Sequence, residues 1–316
     1  MKHPSLIILL LSVMTLPLAA QNDLSEVEIK AEKVAGTVYI LTGAGGNLGA
    51  SVGEDGIILI DDQYAPLAPK IRAALAEIAD AEVLYVLNTH WHGDHTGGNE
   101  YFGEIAPVVS HHNVRKRLAE GMDRGGRTIE PAPEEALPVL TFGDDLILHY
   151  NGEAIHAIHL PHGHTDGDIA ILFPESNVIH MGDHYFQGRF PFIDLQSGGS
   201  VRGMIRNIRN VLEILPADAR VIPGHGDLSN ASELKEHLEM LKATSRVVRD
   251  ALDEGKTLDQ MKEEKILKEW EDLSWGFIST DRYLETLVED LSKPETHHRR
   301  HHHGEKSHQH RHHEGD

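Results

Sequence analysis

One stretch, residues 88–98 (Asn-Thr-His-Trp-His-Gly-Asp-His-Thr-Gly-Gly), constrains this chain more than any other. It places His90, His92, Asp94 and His95 directly after the apolar run 83–87 and before a pair of glycines. The run has the length and composition of a buried strand. Imidazole and carboxylate are the ligand chemistry of zinc and related divalent metals. On a continuous helix these side chains would point several ways, whereas on a loop leaving a strand end they can converge. The fold must therefore bring a strand terminus and further donors to one point.

Those donors follow in order, each where a strand-like run gives way to glycine: Gly163-His164-Thr165, Met181-Gly182-Asp183 and Pro223-Gly224-His225-Gly226. Loops on a rigid scaffold are the usual place for site residues. The series resembles the metallo-β-lactamase superfamily, whose motifs run His-x-His-x-Asp-His, Gly-His-Thr, a bridging residue and Gly-His, and the resemblance spans 26–291. It implies an α/β fold, a four-layer αββα sandwich of two mixed β-sheets with outer helices. The site would lie at one edge between the sheets, with the halves before and after about Pro138 each supplying ligands. It also implies that His90, His92 and His164 hold one Zn2+, that Asp94, His95 and His225 hold a second, and that Asp183 bridges them. Iron or manganese would suit the same donors.

The implied chemistry is hydrolysis of a carbonyl or related acyl bond (β-lactam, lactone, ester or thioester) by a metal-bridging hydroxide. Asp94 and Asp183 would then be catalytic as well as metal-binding, with Tyr185 a candidate oxyanion donor. The bridging Asp is the choice of superfamily members acting on thioesters, lactones and phosphoesters, whereas the familiar lactamases more often carry Cys or Ser there. That departure weighs against efficient β-lactam hydrolysis. Flavin-linked di-iron relatives replace the second histidine of the cluster with Glu; His92 here favours hydrolysis over redox chemistry.

Composition excludes other classes. The chain has 316 residues, a formal charge of −21 and no cysteine. The charge argues against nucleic acid and anionic membrane surfaces as partners, and the lack of cysteine excludes disulfides and thiolate ligands. A small-molecule substrate is expected; the oligomeric state is open. Residues 1–20 read as a cleavable signal peptide, with Lys2, an apolar core over 6–13 and a small-residue end at Ala19-Ala20. A periplasmic or secreted protein is expected, with no membrane attachment after cleavage. The domain proper would run 24–292. From 293 to 316 nine of the 24 histidines sit among charged residues with nothing apolar to fold upon, a composition for a disordered tail that either gathers metal or merely solubilises.

Along the chain, the glycines at 43–49 suit a hairpin, which in the resembled superfamily overhangs the site as a mobile flap. Asp61, at the end of the apolar run 57–60, either accepts the free N–H of a ligand histidine or starts a turn. The Gly-, Pro- and Glu-rich 123–138 reads as an insertion shaping the mouth or as a solvated excursion. Residues 140–149 and 153–160 read as strands. His156 is structural, His159 and His162 are candidates to line the cleft, and His180 and His184 are candidates to support the ligands. The aromatic run 185–192 either plugs the core or walls a pocket, with Tyr185 or Arg189 facing substrate. Helices are expected at 201–215, capped by Ser200, after 227–230, and around 283–291. Rival readings are a zinc-scavenging or metal-buffering protein with a His-rich tail, and a mononuclear iron oxygenase of the same fold.

Overall fold

A computed structural model describes residues 24–124 and 127–294; the expected leader, 1–20, and the tail beyond 294 lie outside the described residues. Alternating apolar side chains build the first sheet. Strands β1 (Lys30–Ala35), β2 (Val38–Thr42), β3 (Leu48–Gly53) and β4 (Gly56–Ile60) form an antiparallel meander. β5 (Val83–Leu87) and β6 (Val108–His111) then add in parallel, as the intervening helices, Ala68–Ile78 before β5 and Asn99–Gly103 before β6, allow. A small hairpin, β7 (Met122–Arg124) with β8 (Arg127–Ile129), precedes β9 (Leu140–Phe142), which closes the seven-stranded sheet. β10 (Asp145–Tyr150), β11 (Glu153–His159), β12 (Ile169–Phe173), β13 (Val178–His180), β14 (Arg220–Ile222) and β15 (Ser229–Asn230) make a six-stranded sheet in that order.

The period of two shows in β4. Ile58 and Ile60 face the second sheet, packing with Ile155, Ile171 and Phe173. Ile57 and Leu59 face outward onto Leu67, Ile71 and Leu75 of the first helical region. The outer face of the second sheet, through Ala170, Ile179 and Val221, packs on helices Val201–Ile214, Ala231–Asp253 and Thr280–Leu291. The layers are therefore helix, sheet, sheet, helix, as the resemblance implied. Ser200 caps the helix at Val201 by accepting from the Gly203 amide, and Asn230 does the same for Glu233.

Two expectations are corrected. Residues 140–149 are not one strand, because the chain turns at Gly143-Asp144 and crosses from the first sheet to the second. The hairpin tip is not a loose flap. The Gly46 amide donates to Asp94 O, and Asn47 donates from its backbone to Gly224 O and from its side chain to Pro223 O and Gly226 O. Gly46 lies so close to the site that a Cβ there would fall 2.1 Å from the His95 ring.

Candidate metal centre

Strand ends at one edge of the sandwich supply the site. The loop after β5 carries His90 and His92, then a single helical turn, Gly93–Thr96, presents Asp94 and His95. The β11–β12 connection carries His164. β13 runs into the turn Gly182–His184, which aims Asp183, and the parallel β14 leads through Pro223-Gly224 to His225. Gly224 is obligatory at this approach, since a Cβ would sit 2.1 Å from Asp183 Oδ1.

The structure brings together all seven predicted ligands. Donor atoms of His90, His92, His164 and Asp183 lie within 4.8 Å of one another, as do those of Asp94, His95 and His225. Asp183 joins the two groups. Its Oδ2 is 3.7 Å from His90 Nε2 and 3.4 Å from His164 Nε2. Its Oδ1 is 3.1 Å from His95 Nε2 and 3.5 Å from His225 Nε2. Asp94 Oδ2 is 3.3 Å from His225 Nε2.

These donors fit a divalent metal. His90 Nε2, His95 Nε2 and Asp183 Oδ1 are buried and make no hydrogen bond, a costly condition unless a cation takes their lone pairs. The far side of each inner ring is anchored, which sets the tautomer. His95 Nδ1 is 2.7 Å from Asp61 Oδ2, His90 Nδ1 is 3.0 Å from Thr89 Oγ1 and His164 Nδ1 is 2.7 Å from the Phe192 carbonyl. His92 is turned the other way, with Nε2 3.0 Å from Asp194 Oδ2 and Nδ1 inward, 2.8 Å from His164 Nε2. Asp61 thus lies where its strand-end position predicted. Asp194 and the Phe192 carbonyl escaped sequence reasoning, because no motif marks a partner distant in the chain; Thr89 adjoins His90, but its role is set by its bond to Asp61.

Electrostatics divide the cluster. Burial pushes His90, His92 and His164 below the ordinary histidine value, leaving neutral rings with free lone pairs. Burial also acts on His95 and His225, but carboxylates overcome it. Asp183, Asp61 and Asp94 hold His95 well up, and Asp183 with Asp94 holds His225 at about 9. Against burial, His225, His95, His90 and His164 keep Asp183 well below its usual range. Asp94, likewise opposed by burial, is held at about 2 by His95 and His225.

Other candidates fall elsewhere. Tyr185 is not an oxyanion donor: it is 2% exposed, its hydroxyl is 2.9 Å from Ser229 Oγ, and its ring meets His237 in the helical core. Burial moves its hydroxyl up to about 12. Arg189 lies near the site, its guanidinium 5.2 Å over the Trp275 ring. His159 bonds the Asp166 carbonyl and stacks on His111, 3.8 Å between centroids; His162 bonds the Gly198 carbonyl. His180 bonds the Asn47 carbonyl and His184 bonds Asn207, so each buttresses a ligand loop without joining the cluster. His156 lies in β11. The 123–138 region tucks Ala136 and Leu137 into the protein, and its carbonyl at 136 accepts from Asn99.

Comparison with known proteins agrees with this geometry. Hydroxyacylglutathione hydrolase of Nitrosococcus oceani is 27% identical over 168 residues, 52% of this chain and 57% of that protein, so the match spans little more than half the relative's length. Metallo-beta-lactamase type 2 of Bacteroides fragilis is 28% identical over 201 residues, 60% of this chain and 75% of that protein. The crystal structure of the DIM-1 metallo-beta-lactamase superposes with a TM-score of 0.57 at 20% identity, covering 69% of this chain and 99% of that one. A family model described as the metallo-beta-lactamase superfamily matches residues 46–243, which hold the whole ligand cluster. With strand order, donor groups and sequence in agreement, the chain belongs to the metallo-beta-lactamase superfamily.

Proposed function

We propose that the protein is an exported binuclear zinc hydrolase acting on an acyl bond of a small molecule: a lactone, ester, thioester or β-lactam. The observation that carries this reading is Asp183, whose two carboxylate oxygens face two separate donor groups. His90, His92 and His164 would hold one ion, Asp94, His95 and His225 the other, with Asp183 shared. Bound there, such a pair supplies Lewis acidity and a water that ionises near neutral pH.

The protein's own groups do the rest. Neutral His90, His92 and His164 offer lone pairs without a proton to displace. Asp94 is 24% exposed on its side chain, against 5% for Asp183. It is therefore the carboxylate facing the open side, and in this reading its Oδ2 would take the proton from an attacking water. The hydrolase names of the relatives support acyl-bond cleavage. Export rests on the leader-like 1–20, and no helix among the described residues is long and apolar enough to cross a membrane.

The test is a panel of lactones, thioesters, esters, lactams and phosphodiesters with metal content measured in parallel and His92→Ala as the blank. Two metal equivalents and turnover of an acyl substrate, both lost in the blank, are expected. Equal behaviour of wild type and blank on every compound would sink the reading.

A further inference from the structure

Beyond the residues matched by the family, the chain returns to the site. Between the turn Lys268–Leu273 and the helix Thr280–Leu291, residues 274–279 carry Trp275 and Phe277. The segment is firmly placed. Trp275 Nε1 donates to the Phe190 carbonyl at 2.9 Å, the Phe190 amide donates to Leu273 O, and the Trp275 amide to Ile278 O.

These rings complete an arc from one ligand group to the other. Phe186 stacks on His225 with centroids 5.2 Å apart and planes 15° apart. Trp275 is 6.2 Å from Phe186 and 6.3 Å from His225. Phe277 follows at 5.7 Å from Trp275, then Phe192 at 5.3 Å from Phe277. Phe192 ends the arc against His92 at 5.7 Å and His164 at 5.6 Å. Phe277 is 46% exposed, so part of its ring is open to a ligand. Two guanidiniums lie on the arc: Arg189 over Trp275 at 5.2 Å, and Arg282 over Phe277 at 4.2 Å and Phe192 at 5.7 Å. Among the described residues neither has a carboxylate within ion-pair reach. In a chain of formal charge −21, cations left unpaired beside a metal cluster are a local reversal of sign that favours an anion.

We propose that this arc is the acyl-recognition surface, and that the substrate is an acyl compound carrying a flat apolar group and a carboxylate remote from the scissile bond. The inference rests on the hydrolase reading above and adds the substrate's shape and charge. The flat group lies on Trp275, Phe277 and Phe192, where ring contacts exclude water. The carboxylate pairs with Arg189 or Arg282, whose guanidiniums stack on the rings; Arg282 Nη1 also donates to the Phe277 carbonyl at 2.6 Å, which fixes the guanidinium beside Phe277.

The test uses the metal-loaded protein with 4-phenylbutyrate as probe, against butyrate (anion without ring) and 4-phenylbutanol (ring without anion), read by calorimetry and tryptophan fluorescence. 4-Phenylbutyrate binds at least tenfold more tightly than either control. Phe277→Ala weakens it roughly tenfold and leaves butyrate unchanged. Arg189→Gln combined with Arg282→Gln reduces it to the level of 4-phenylbutanol. Metal content and melting temperature of each variant confirm an intact fold. Equal binding of butyrate and 4-phenylbutyrate would mean that the anion sits on the metals alone, and would overturn the proposal. So would variants that bind the probe as wild type does. No turnover enters this measurement, so a lost preference with acyl hydrolysis intact strikes the recognition surface only. Retained preference with no hydrolysis of any acyl bond supports the surface and strikes the reaction.

Discussion

Asp61 is the most informative residue to perturb, because one carboxylate orients a ligand in each donor group. Its Oδ2 lies 2.7 Å from His95 Nδ1 and accepts the Thr89 hydroxyl at 2.7 Å, while Oδ1 accepts the Thr89 amide at 2.7 Å. Because the Thr89 hydroxyl donates to Asp61, its lone pair is left to accept from His90 Nδ1 at 3.0 Å. With metal bound, both rings would therefore keep their proton on Nδ1 and offer Nε2 to the ion. Asp61→Asn keeps the amide's acceptor but puts an NH2 where Oδ2 stood. His95 Nδ1–H then faces a donor, and the Thr89 hydroxyl must turn to accept from the new amide. It then donates to His90 Nδ1 and drives the proton to Nε2, the metal-facing atom.

Loss of such an outer partner costs ten- to a hundredfold in metal affinity, or about 1.4–2.7 kcal/mol. The backbone is a separate matter. Asp61 has φ +59, a conformation that Asn tolerates and Ala does not, at about 1–2 kcal/mol. Competition with a chromophoric chelator is therefore expected to show both metal equivalents weakened in Asp61→Asn, with a smaller fall in the metal-free melting temperature than in Asp61→Ala. Asp61→Ala loses the same affinity and also melts lower. Metal affinity of Asp61→Asn within threefold of wild type would refute the tautomer argument.

Metal loading is expected to release protons, since His225 titrates at about 9 and His95 is also raised in the metal-free protein. An indicator dye in weakly buffered solution at pH 7 should register more than one proton per protein, and affinity should climb with pH up to about 9; no release would contradict the assigned charge state. His237, pushed down to about 3 by burial alone, stays neutral when folded while the unfolded chain takes a proton below about 6.5. Stability is thus complete above that value and falls as pH drops towards 3, by about 1.4 kcal/mol per unit. His237→Phe should flatten urea-derived stability across that window, and an unchanged slope would count against the burial argument. Tyr185→Phe should cost about 1 kcal/mol through its Ser229 bond and leave kcat within twofold; a hundredfold fall would restore Tyr185 to the chemistry.

The ligand cluster was legible because its chemistry is local. Four donors within six residues, then single donors at strand-to-glycine junctions, need no knowledge of distant contacts. Asp61 was legible for the same reason, as a carboxylate at the end of a strand parallel to the ligand strand. The aromatic run after Asp183 was ambiguous because composition does not say which way a side chain points. The backbone at Tyr185 is extended, so neighbours face opposite sides: Tyr185 enters the helical core and Phe186 meets His225. The hairpin tip was misjudged because the bonds of Asn47 run to residues more than 170 positions away.

Local sequence therefore determined the donor set and the order in which donors arrive, and the family resemblance its motifs carry implied the layered α/β architecture. Tertiary structure decided which tautomer each histidine holds, through Asp194, Thr89 and the Phe192 carbonyl. It also decided that Trp275 and Phe277, fifty residues past the last ligand, complete the wall beside the cluster. The physical reason is range. Ligand type and strand period are written in neighbouring residues, but partners and facing sides exist only once the sheets and helices have packed.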